Sequence, residues 1–335
     1  MRPAMAPTVS LVISTYNRPQ ALDRVLASVA RQRVLPDQVL VADDGSGLET
    51  ARVVARWQQG AGLAAGMPSG TGSVSAGGAA SGVGAVAGTG SAPATGARVP
   101  AAAPATASPL AGRLLHVWQP DEGFRLSAAR NRAIREATGE LIVFVDGDCL
   151  LRPDFVEAHQ QVAERGFATA GNRVLLGQAV TADIEAGRQN PLDWSCLRWL
   201  MAWRRGDVNH ALGLLRLPGQ GWRRMSGRPW RHFKGCNMAL WRDDLVRLNG
   251  FEEEIAGWGF EDTDLILRWF NLGGRLKSGR FATTVLHLWH REAARDAAEQ
   301  NERRARLAGS RGATAAVRGL AQLSDHDHYA PPGGI

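Results

Sequence analysis

Short apolar segments alternate with amphipathic segments along the first half of the chain, and this alternation restricts the fold more than any other feature. The apolar segments are residues 9–14, 38–42, 114–118 and 141–145. Apolar side chains at helical spacing lie between them, at residues 21–31, in the stretch that ends at residue 57, and at residues 127–137. Strands alternating with helices predict βαβ units. We therefore predict a Rossmann-like α/β fold, a mostly parallel sheet with flanking helices.

Polar residues stand where three of the predicted strands end. They form three pairs: Thr15 and Tyr16, Asp43 and Asp44, and Asp146 and Asp148. Ligands of parallel sheets bind outside the carboxyl ends of the strands. We therefore expect the three pairs to line one crevice.

The Asp146-Gly147-Asp148 motif offers two carboxylates separated by a glycine, which suits a divalent cation together with a ribose hydroxyl. Aspartates after strands are also common turn formers, so this motif alone identifies no site. The acidic pair Asp43 and Asp44 favours a functional interpretation, because carboxylates at neighbouring strand ends repel each other unless a cation or a donor-rich ligand joins them.

A Gly- and Ala-rich segment interrupts the α/β pattern after the second predicted helix. Residues 60–108 contain 12 Gly, 16 Ala and one charged residue, Arg98. Such a segment buries too little apolar surface to offset the entropy of ordering it. We predict a disordered insert in a single domain that is discontinuous in sequence.

A second candidate region is the motif Gly257-Trp258-Gly259-Phe260-Glu261-Asp262, which precedes a predicted helix at residues 263–270. The acidic residues have a simpler explanation, because carboxylates often cap a helix and complement its dipole. The two glycines and Trp258 favour a loop that closes over a sugar beside Glu261 and Asp262.

The apolar run at residues 281–290 predicts a strand that contains two histidines, His287 and His290. Neutral imidazole is a good ligand for Mn²⁺ and similar ions, although a histidine in a strand is often structural. If the strand stays extended through residue 290, the two rings point to opposite faces of the sheet. A turn at the strand end would let both converge, with His290 the stronger candidate ligand.

These motifs together resemble a known family. The N-terminal half is similar to the family 2 glycosyltransferases of GT-A fold, through ISTYNRP, VADDGS, SAARNRAI and VFVDGD. The C-terminal half resembles the galactosyltransferase-type module of chondroitin-polymerase-like enzymes, through GCNMAL, NGF, GWGFED and HLWH. The long Gly/Ala insert and the Arg/Trp-rich stretch before GCNMAL depart from the family pattern.

The resemblance implies roles for individual residues. Donor binding falls to Thr15, Tyr16, Asp43, Asp44, Arg130, Asp146 and Trp258. Asp148 and His290, with His287 second, would hold a Mn²⁺ or Mg²⁺ ion. Asp262 matches the catalytic base, with Glu261 placing the acceptor, and an inverting displacement at the anomeric carbon requires such a base and a cation for the departing diphosphate.

The composition and the resemblance together predict a division of the chain. Residues 1–58 and 110–150 form a half that binds the nucleotide sugar, and residues 59–109 form the insert. Residues 151–291 form the acceptor-binding and catalytic half, and residues 292–335 form a tail.

A basic, Trp-rich stretch leaves the identity of the acceptor undetermined. Residues 198–234 hold nine Lys or Arg, one acidic residue and four Trp, in a chain with a net charge of +7. The apolar segment at residues 192–205, with arginines at its end, suits a helix at an anionic membrane surface. The alternative is an acceptor lid packed on the catalytic domain, and the two can coexist. No recognition motif supports nucleic-acid binding.

The predicted function is transfer of a sugar, with inversion, from a nucleoside diphosphate donor such as a UDP-sugar to a saccharide or glycolipid acceptor, in cell-surface polysaccharide or lipopolysaccharide synthesis. The alternatives are a catalytically idle nucleotide-sugar or glycan-binding module and a basic protein that binds membranes or nucleic acid. No apolar run approaches the roughly 18 residues that span a bilayer. We expect a cytoplasmic protein, with peripheral contact with the inner face of the membrane as a further expectation.

Overall fold

The computed structural model describes residues 6–60, 107–291, 294–324 and 328–333. The strands of this part of the chain are β1 (Val9–Thr15), β2 (Gln38–Asp43), β3 (Leu114–Trp118), β4 (Leu141–Asp146), β5 (Cys149–Leu151), β6 (Phe167–Ala170), β7 (Asn172–Leu175), β8 (Asn237–Trp241), β9 (Arg275–Ser278) and β10 (Thr284–His287). Its α-helices are α1 (Pro19–Ala30), α2 (Leu48–Gln58), α3 (Leu126–Glu136), α4 (Phe155–Val162), α5 (Gln178–Glu185), α6 (Cys196–Arg205), α7 (Arg242–Arg247), α8 (Glu261–Asn271) and α9 (Ala298–Ser310).

The strands form two sheets. Seven of them form a central sheet in the order β3-β2-β1-β4-β8-β6-β9, and three form a second sheet in the order β5-β10-β7. In the central sheet, β8 runs antiparallel to its neighbours β4 and β6, and the other pairings are parallel. The prediction of a mostly parallel sheet with flanking helices is confirmed.

Strand β1 is buried along its whole length, which explains why it has no polar alternation. Leu11 and Ile13 belong to the apolar cluster that includes the inner faces of α1 and α2. Val12, on the opposite face of the strand, belongs to the cluster that includes residues of α3 and α8. The sheet is therefore covered by helices on both faces.

The strand register brings the predicted polar residues to one edge of the sheet. Thr15 at the end of β1 pairs with Asp43 at the end of β2. Ser14 pairs with Asp146 at the end of β4. In the second sheet, His287 pairs with Cys149, the residue that follows Asp148.

The strand predicted at residues 281–290 is shorter in the structure. Strand β10 covers Thr284–His287. Phe281 has a φ of 60°, in the left-handed region, so the extended conformation cannot begin there. Beyond the strand, the backbone N–H of Trp289 donates to Thr181 Oγ1 at 2.8 Å, which takes the chain out of the ladder.

Helix α9 lies in the C-terminal stretch, where the sequence indicates no element. Few of its side chains are buried, Asn301 and Ala305 among them, so it has little apolar periodicity. It lies beside α8, where Asn271 Nδ2 donates to the carbonyl of Gly309 at 3.1 Å. In the described ranges, no helix combines the length and apolarity needed to cross a bilayer.

The predicted disordered insert falls mainly on residues 61–106, which lie outside the described residues. Its two flanks meet in the fold, because the N–H of Ser108 donates to the carbonyl of Gly60 at 3.0 Å.

A short connection can therefore join these flanks without moving them. We expect replacement of residues 61–107 by a Gly/Ser linker of about six residues to change kcat/KM less than about fivefold, since the entropic cost of closing a loop falls as the loop is shortened. Steady-state kinetics and a thermal melt of both proteins test this expectation. Loss of activity in a folded variant would give the segment a functional role.

Candidate active site

A cleft of about 700 Å³ opens at the carboxyl ends of β1, β2 and β4. It is also lined by the start of α8 and by the residues at the end of β10. The predicted site residues that line it are Thr15, Tyr16, Asp44, Arg130, Asp146, Asp148, Trp258, Glu261, Asp262, His287 and His290. The fold thus gathers residues from both halves of the chain into one cavity.

Asp43 is the predicted site residue that the cleft does not include. It is buried below the cleft, where one carboxylate oxygen accepts from the N–H of Ser46 at 2.8 Å and the other lies 2.8 Å from Nε2 of His116. These contacts place Asp43 inside the fold, where it stabilises the turn after β2.

Asp44 faces the cleft and is held by two donors. Its Oδ1 accepts from Gln119 Nε2 at 2.5 Å, and its Oδ2 accepts from the backbone N–H of Arg125 at 2.7 Å. Burial raises the pKa of Asp44 to about 6, although these two hydrogen bonds oppose the shift. The carboxylate therefore changes protonation just below neutral pH.

Two side chains at the end of β1 complete this part of the cleft. Oγ1 of Thr15 is buried and has no hydrogen-bond partner among the described residues. The hydroxyl of Tyr16 donates to Asp121 Oδ2 at 2.9 Å. An unpaired buried hydroxyl costs free energy, so Thr15 is suited to a polar ligand.

Gly147 lets the DGD motif approach β1 closely. Its N–H donates to the carbonyl of Ser14 at 2.7 Å. A Cβ at this position would lie 3.0 Å from that carbonyl and from Oγ1 of Thr15. The glycine therefore keeps both aspartates of the motif at the mouth of the cleft.

Arg130 is a buried cation that connects the two halves of the site. Its Nη2 lies 3.2 Å from Asp146 Oδ1, and its Nη1 lies 3.1 Å from Glu261 Oε1. Its Nη2 also donates to the carbonyl of Gly235 at 3.1 Å. One guanidinium thus fixes the DGD motif of β4 relative to the acidic start of α8.

Three potential metal ligands converge beside this network. An oxygen of Asp148 lies 3.2 Å from His287 Nε2, and its other oxygen lies 3.6 Å from His290 Nε2. One ligand atom from each residue lies within 4.8 Å of the others. Strand β10 ends at His287, so the chain turns before His290 and the two rings converge. This is the alternative in which a turn at the strand end brings both histidines together.

The charges around this cluster are arranged to keep Asp148 ionised. Burial alone would raise the pKa of Asp148, but the hydrogen bond with His287 and the charges of His287, Arg18 and His290 lower it. Burial alone would lower the pKa of His287, but its contact with Asp148 raises it. Protons therefore compete with a cation for the imidazole at low pH.

Arg18 also belongs to this cluster, although no sequence motif predicts it there. Its Nη1 lies 2.8 Å from Asp148 Oδ2, and its Nη2 lies 2.7 Å from Glu185 Oε1. The signal for it in the sequence is its place in ISTYNRP, three residues after the end of β1. Nothing there indicates which carboxylates it meets, because Asp148 and Glu185 come from distant segments.

The acidic pair at the start of α8 divides into two environments. Glu261 is buried and accepts from Arg130, whereas Asp262 is half-buried. Oδ2 of Asp262 accepts from the backbone N–H of Gly235 at 2.8 Å. Phe260, with a φ of 74°, turns the chain into the helix and sets these neighbours apart.

The pKa of Glu261 rises to about 7, mainly because the side chain is buried and secondly because Asp262 lies nearby. The positive charge of Arg130 opposes this rise.

Trp258 lies on the loop before α8 and lines the cleft. The guanidinium carbon of Arg295 lies 4.6 Å from the centre of its ring. This contact holds the indole at the cavity wall, where an aromatic face can pack against a sugar ring.

Two protein families match the chain. The family described as glycosyl transferase family 2 matches residues 10–66 and 101–207, and the family described as the N-terminal domain of galactosyltransferase matches residues 225–291. The chain belongs to the family 2 glycosyltransferases, with a galactosyltransferase-type module in its C-terminal half.

Similar proteins include a glucosyltransferase and a chondroitin synthase. The validoxylamine A glucosyltransferase of Streptomyces hygroscopicus subsp. limoneus is 28% identical over 277 residues, which cover 77% of this chain and 47% of that protein. The chondroitin synthase of Escherichia coli is 22% identical over 288 residues, which cover 81% of this chain and 33% of that protein. The chain therefore spans half or less of the length of these relatives.

A solved structure has the same fold. The crystal structure of GalNAc-T7 with UDP, GalNAc and Mn²⁺ superposes with a TM-score of 0.50 at 12% sequence identity. The match covers 87% of this chain and 45% of that one. The predicted GT-A fold is confirmed.

Proposed function

We propose that this protein is a metal-dependent, inverting glycosyltransferase that moves a sugar from a UDP-sugar to a saccharide or glycolipid acceptor. One observation carries the proposal: a single cleft brings together the carboxylate of Asp44, the Asp148-His287-His290 cluster and the carboxylate of Asp262. In that order, these groups are suited to the nucleoside, the diphosphate and the acceptor hydroxyl of a glycosyl transfer.

The donor lies along the ends of β1, β2 and β4 in this proposal. Asp44, Tyr16 and Thr15 contact the nucleoside, and the unpaired hydroxyl of Thr15 supports this placement. Asp146 contacts the ribose, held in place by Arg130. Trp258 packs against the donor sugar.

The metal ligands proposed are Asp148, His290 and His287. Their mixed oxygen and nitrogen donors fit a transition-metal ion such as Mn²⁺ better than Mg²⁺, which prefers oxygen ligands. When bound, such an ion offsets the negative charge of the leaving diphosphate.

Asp262 is the proposed catalytic base. It is more open to the cleft than Glu261, and the N–H of Gly235 orients one of its carboxylate oxygens. It takes the proton of the acceptor hydroxyl while that oxygen attacks the anomeric carbon and the bond to the diphosphate breaks. Glu261 is held by its ion pair with Arg130 and positions the acceptor.

The test is release of UDP from a panel of UDP-sugars in Mn²⁺, without added acceptor and then with simple saccharides. We expect one donor to be hydrolysed slowly, EDTA to abolish the reaction, and one or more acceptors to accelerate it. Donor binding without turnover under every condition would instead identify an idle nucleotide-sugar-binding module. Failure of every donor to bind would contradict the proposal.

Nucleoside binding should depend on the ionisation of Asp44, whose pKa lies at about 6. An ionised carboxylate accepts a hydrogen bond from the uracil ring, so uridine affinity should be constant above pH 7 and fall as the pH drops through 6. Calorimetry with uridine measures this affinity. Because uridine carries no phosphate, its binding does not involve the metal cluster. Asp44→Asn should bind uridine weakly at all these pH values, and a wild-type affinity that is flat from pH 5 to 8 would remove Asp44 from the nucleoside site.

Helix α6 carries an exposed apolar surface. Trp199 and Ala202 pack this helix on the core. Its other face exposes Leu197, Leu200, Met201 and Trp203, which are 64%, 40%, 41% and 49% accessible. Arg204 and Arg205 end the helix. An apolar helix face with a basic end is typical of contact with an anionic membrane surface, which would bring a glycolipid acceptor to the cleft.

We expect the protein to bind vesicles that contain anionic lipid and to bind them less tightly as salt rises. Arg204→Gln with Arg205→Gln should weaken binding about thirtyfold at low salt, since each basic residue near the surface contributes about 1 kcal/mol. Vesicle co-sedimentation measures this, with neutral vesicles as the control. Absence of binding at low salt would leave α6 as an acceptor lid only.

A further inference from the structure

A second cavity of about 240 Å³ adjoins the cleft, and we call it the basic pocket. Five of its lining side chains are basic: Arg173, Arg231, His232, Lys234 and Arg280. The remaining lining residues are neutral, so no carboxylate borders it. The chain brings these side chains together from segments more than a hundred residues apart.

The cations of this pocket lack acidic partners. Among the described residues, no carboxylate lies within ion-pair distance of Arg173, Arg231, Lys234 or Arg280. Two other arginines of the same basic stretch do have such partners, Arg216 with Asp154 at 2.5 Å and Arg224 with Glu164 at 2.8 Å. Arg173 donates to Cys236 Sγ at 3.4 Å and interacts electrostatically with Asp146, and the pocket as a whole keeps a net positive charge.

Aromatic rings hold two of these guanidinium groups. That of Arg231 lies 4.6 Å from the ring centre of Trp230, and that of Arg280 lies 4.8 Å from that of Phe281. A guanidinium packed on a ring by its face keeps its N–H edge free for hydrogen bonds. Like charges in a concave site repel each other and concentrate a positive potential, which attracts an anion.

The basic pocket adjoins the cleft that holds the proposed acceptor site. Arg173, Lys234 and Cys236 line both cavities. Gly235, between Lys234 and Cys236, donates its N–H to Asp262 at 2.8 Å. A Cβ at Gly235 would lie 3.1 Å from Glu261 Oε1, so the chain passes close to both carboxylates.

We infer that the basic pocket binds a phosphate or carboxylate carried by the acceptor, so that the acceptor is an acidic saccharide or a phosphorylated glycolipid. This inference rests on the proposed glycosyl transfer and names its acceptor class. Lys234 in this pocket is the chain neighbour of Gly235, whose N–H contacts Asp262, so an acceptor anchored there by its anionic group can extend toward that carboxylate. A neutral saccharide leaves the pocket's cations unpaired and binds less tightly.

Calorimetry with glucose, glucose 6-phosphate and glucuronate, in EDTA and at constant ionic strength, tests the inference. We expect glucose 6-phosphate or glucuronate to bind at least tenfold more tightly than glucose, and the preferred one identifies the phosphate or the carboxylate. The variant with Arg231→Gln and Arg280→Gln should lose at least tenfold of that affinity. The control with Arg52→Gln and Arg303→Gln, which removes two exposed positive charges that line neither cavity, should stay within twofold.

Three results would overturn it: equal binding of glucose and both anionic sugars, an unchanged affinity in the Arg231/Arg280 variant, or an equal loss in the control. Mn²⁺-dependent binding of UDP, measured in the same three proteins, separates this inference from the proposed function. If UDP binds normally while the anionic sugars show no preference, only the acceptor class is wrong. If wild type does not bind UDP, glycosyl transfer itself is contradicted.

Discussion

Asp262→Asn is expected to lower kcat by roughly 10²- to 10⁴-fold, the usual contribution of general base catalysis. The amide keeps the size of the side chain and can still accept from the N–H of Gly235, which lies 2.8 Å from Asp262 Oδ2. UDP and Mn²⁺ affinities should therefore stay close to wild type. Single-turnover kinetics with a saturating donor measure the loss, and near-normal turnover in Asp262→Asn would contradict the assignment.

Glu261→Gln is the matched comparison because the two carboxylates are neighbours. It should raise the acceptor KM and change kcat much less, as expected for a residue that binds the acceptor and does not transfer its proton. A collapse of kcat in Glu261→Gln alone would move the role of base to Glu261.

The pH dependence of kcat separates the two carboxylates independently. The pKa of Glu261 lies at about 7, so a rate that needs this carboxylate as a base would rise as the pH passes through 7. With Asp262 as the base, Glu261→Gln should keep turnover and remove any step near pH 7. Loss of both the step and the turnover would favour Glu261.

Asp148→Ala and His290→Ala should each lower Mn²⁺ affinity at least about a hundredfold while the protein stays folded. Removal of a residue that only orients a metal ligand typically costs 10- to 100-fold in affinity, so removal of a ligand should cost at least as much. The ligand atoms of both residues belong to the cluster whose members lie within 4.8 Å of one another. Titration of Mn²⁺ followed by electron paramagnetic resonance measures the free ion directly and needs no substrate.

His328→Ala is the control for these variants, since this histidine is exposed and lies outside the cleft. Its Mn²⁺ affinity should match wild type. Normal Mn²⁺ binding in both Asp148→Ala and His290→Ala would place the metal elsewhere.

The central sheet could be predicted because its strands carry a strong local signal. Strand β1 is buried throughout and has a run of apolar residues at 11–13, and helix α1 that packs on it has a clear apolar face. Strand β10 was predicted too long because the left-handed turn at Phe281 leaves no mark in an apolar run. Helix α9 buries too little apolar surface to produce a periodic pattern.

The candidate site residues that directly follow a strand could be predicted from the sequence. The residues whose positions depend on tertiary packing were harder to predict. Asp43 and Asp44 are adjacent, and only the fold places Asp44 in the cleft and Asp43 against His116. The N–H of Gly235 is a backbone group, which no side-chain motif indicates. Arg18 and the cations of the basic pocket meet their surroundings across long sequence separations, so composition alone indicates only a positive net charge.

The anomeric configuration of the first product tests the central claim of direct displacement most directly. An α-linked UDP-hexose that the enzyme hydrolyses should release the β-anomer first, because water activated by Asp262 attacks from the face opposite the departing diphosphate. Time-resolved proton NMR, recorded before mutarotation equilibrates the sugar, distinguishes the two anomers. Initial release of the β-anomer is the predicted result, and initial release of the α-anomer would contradict the account.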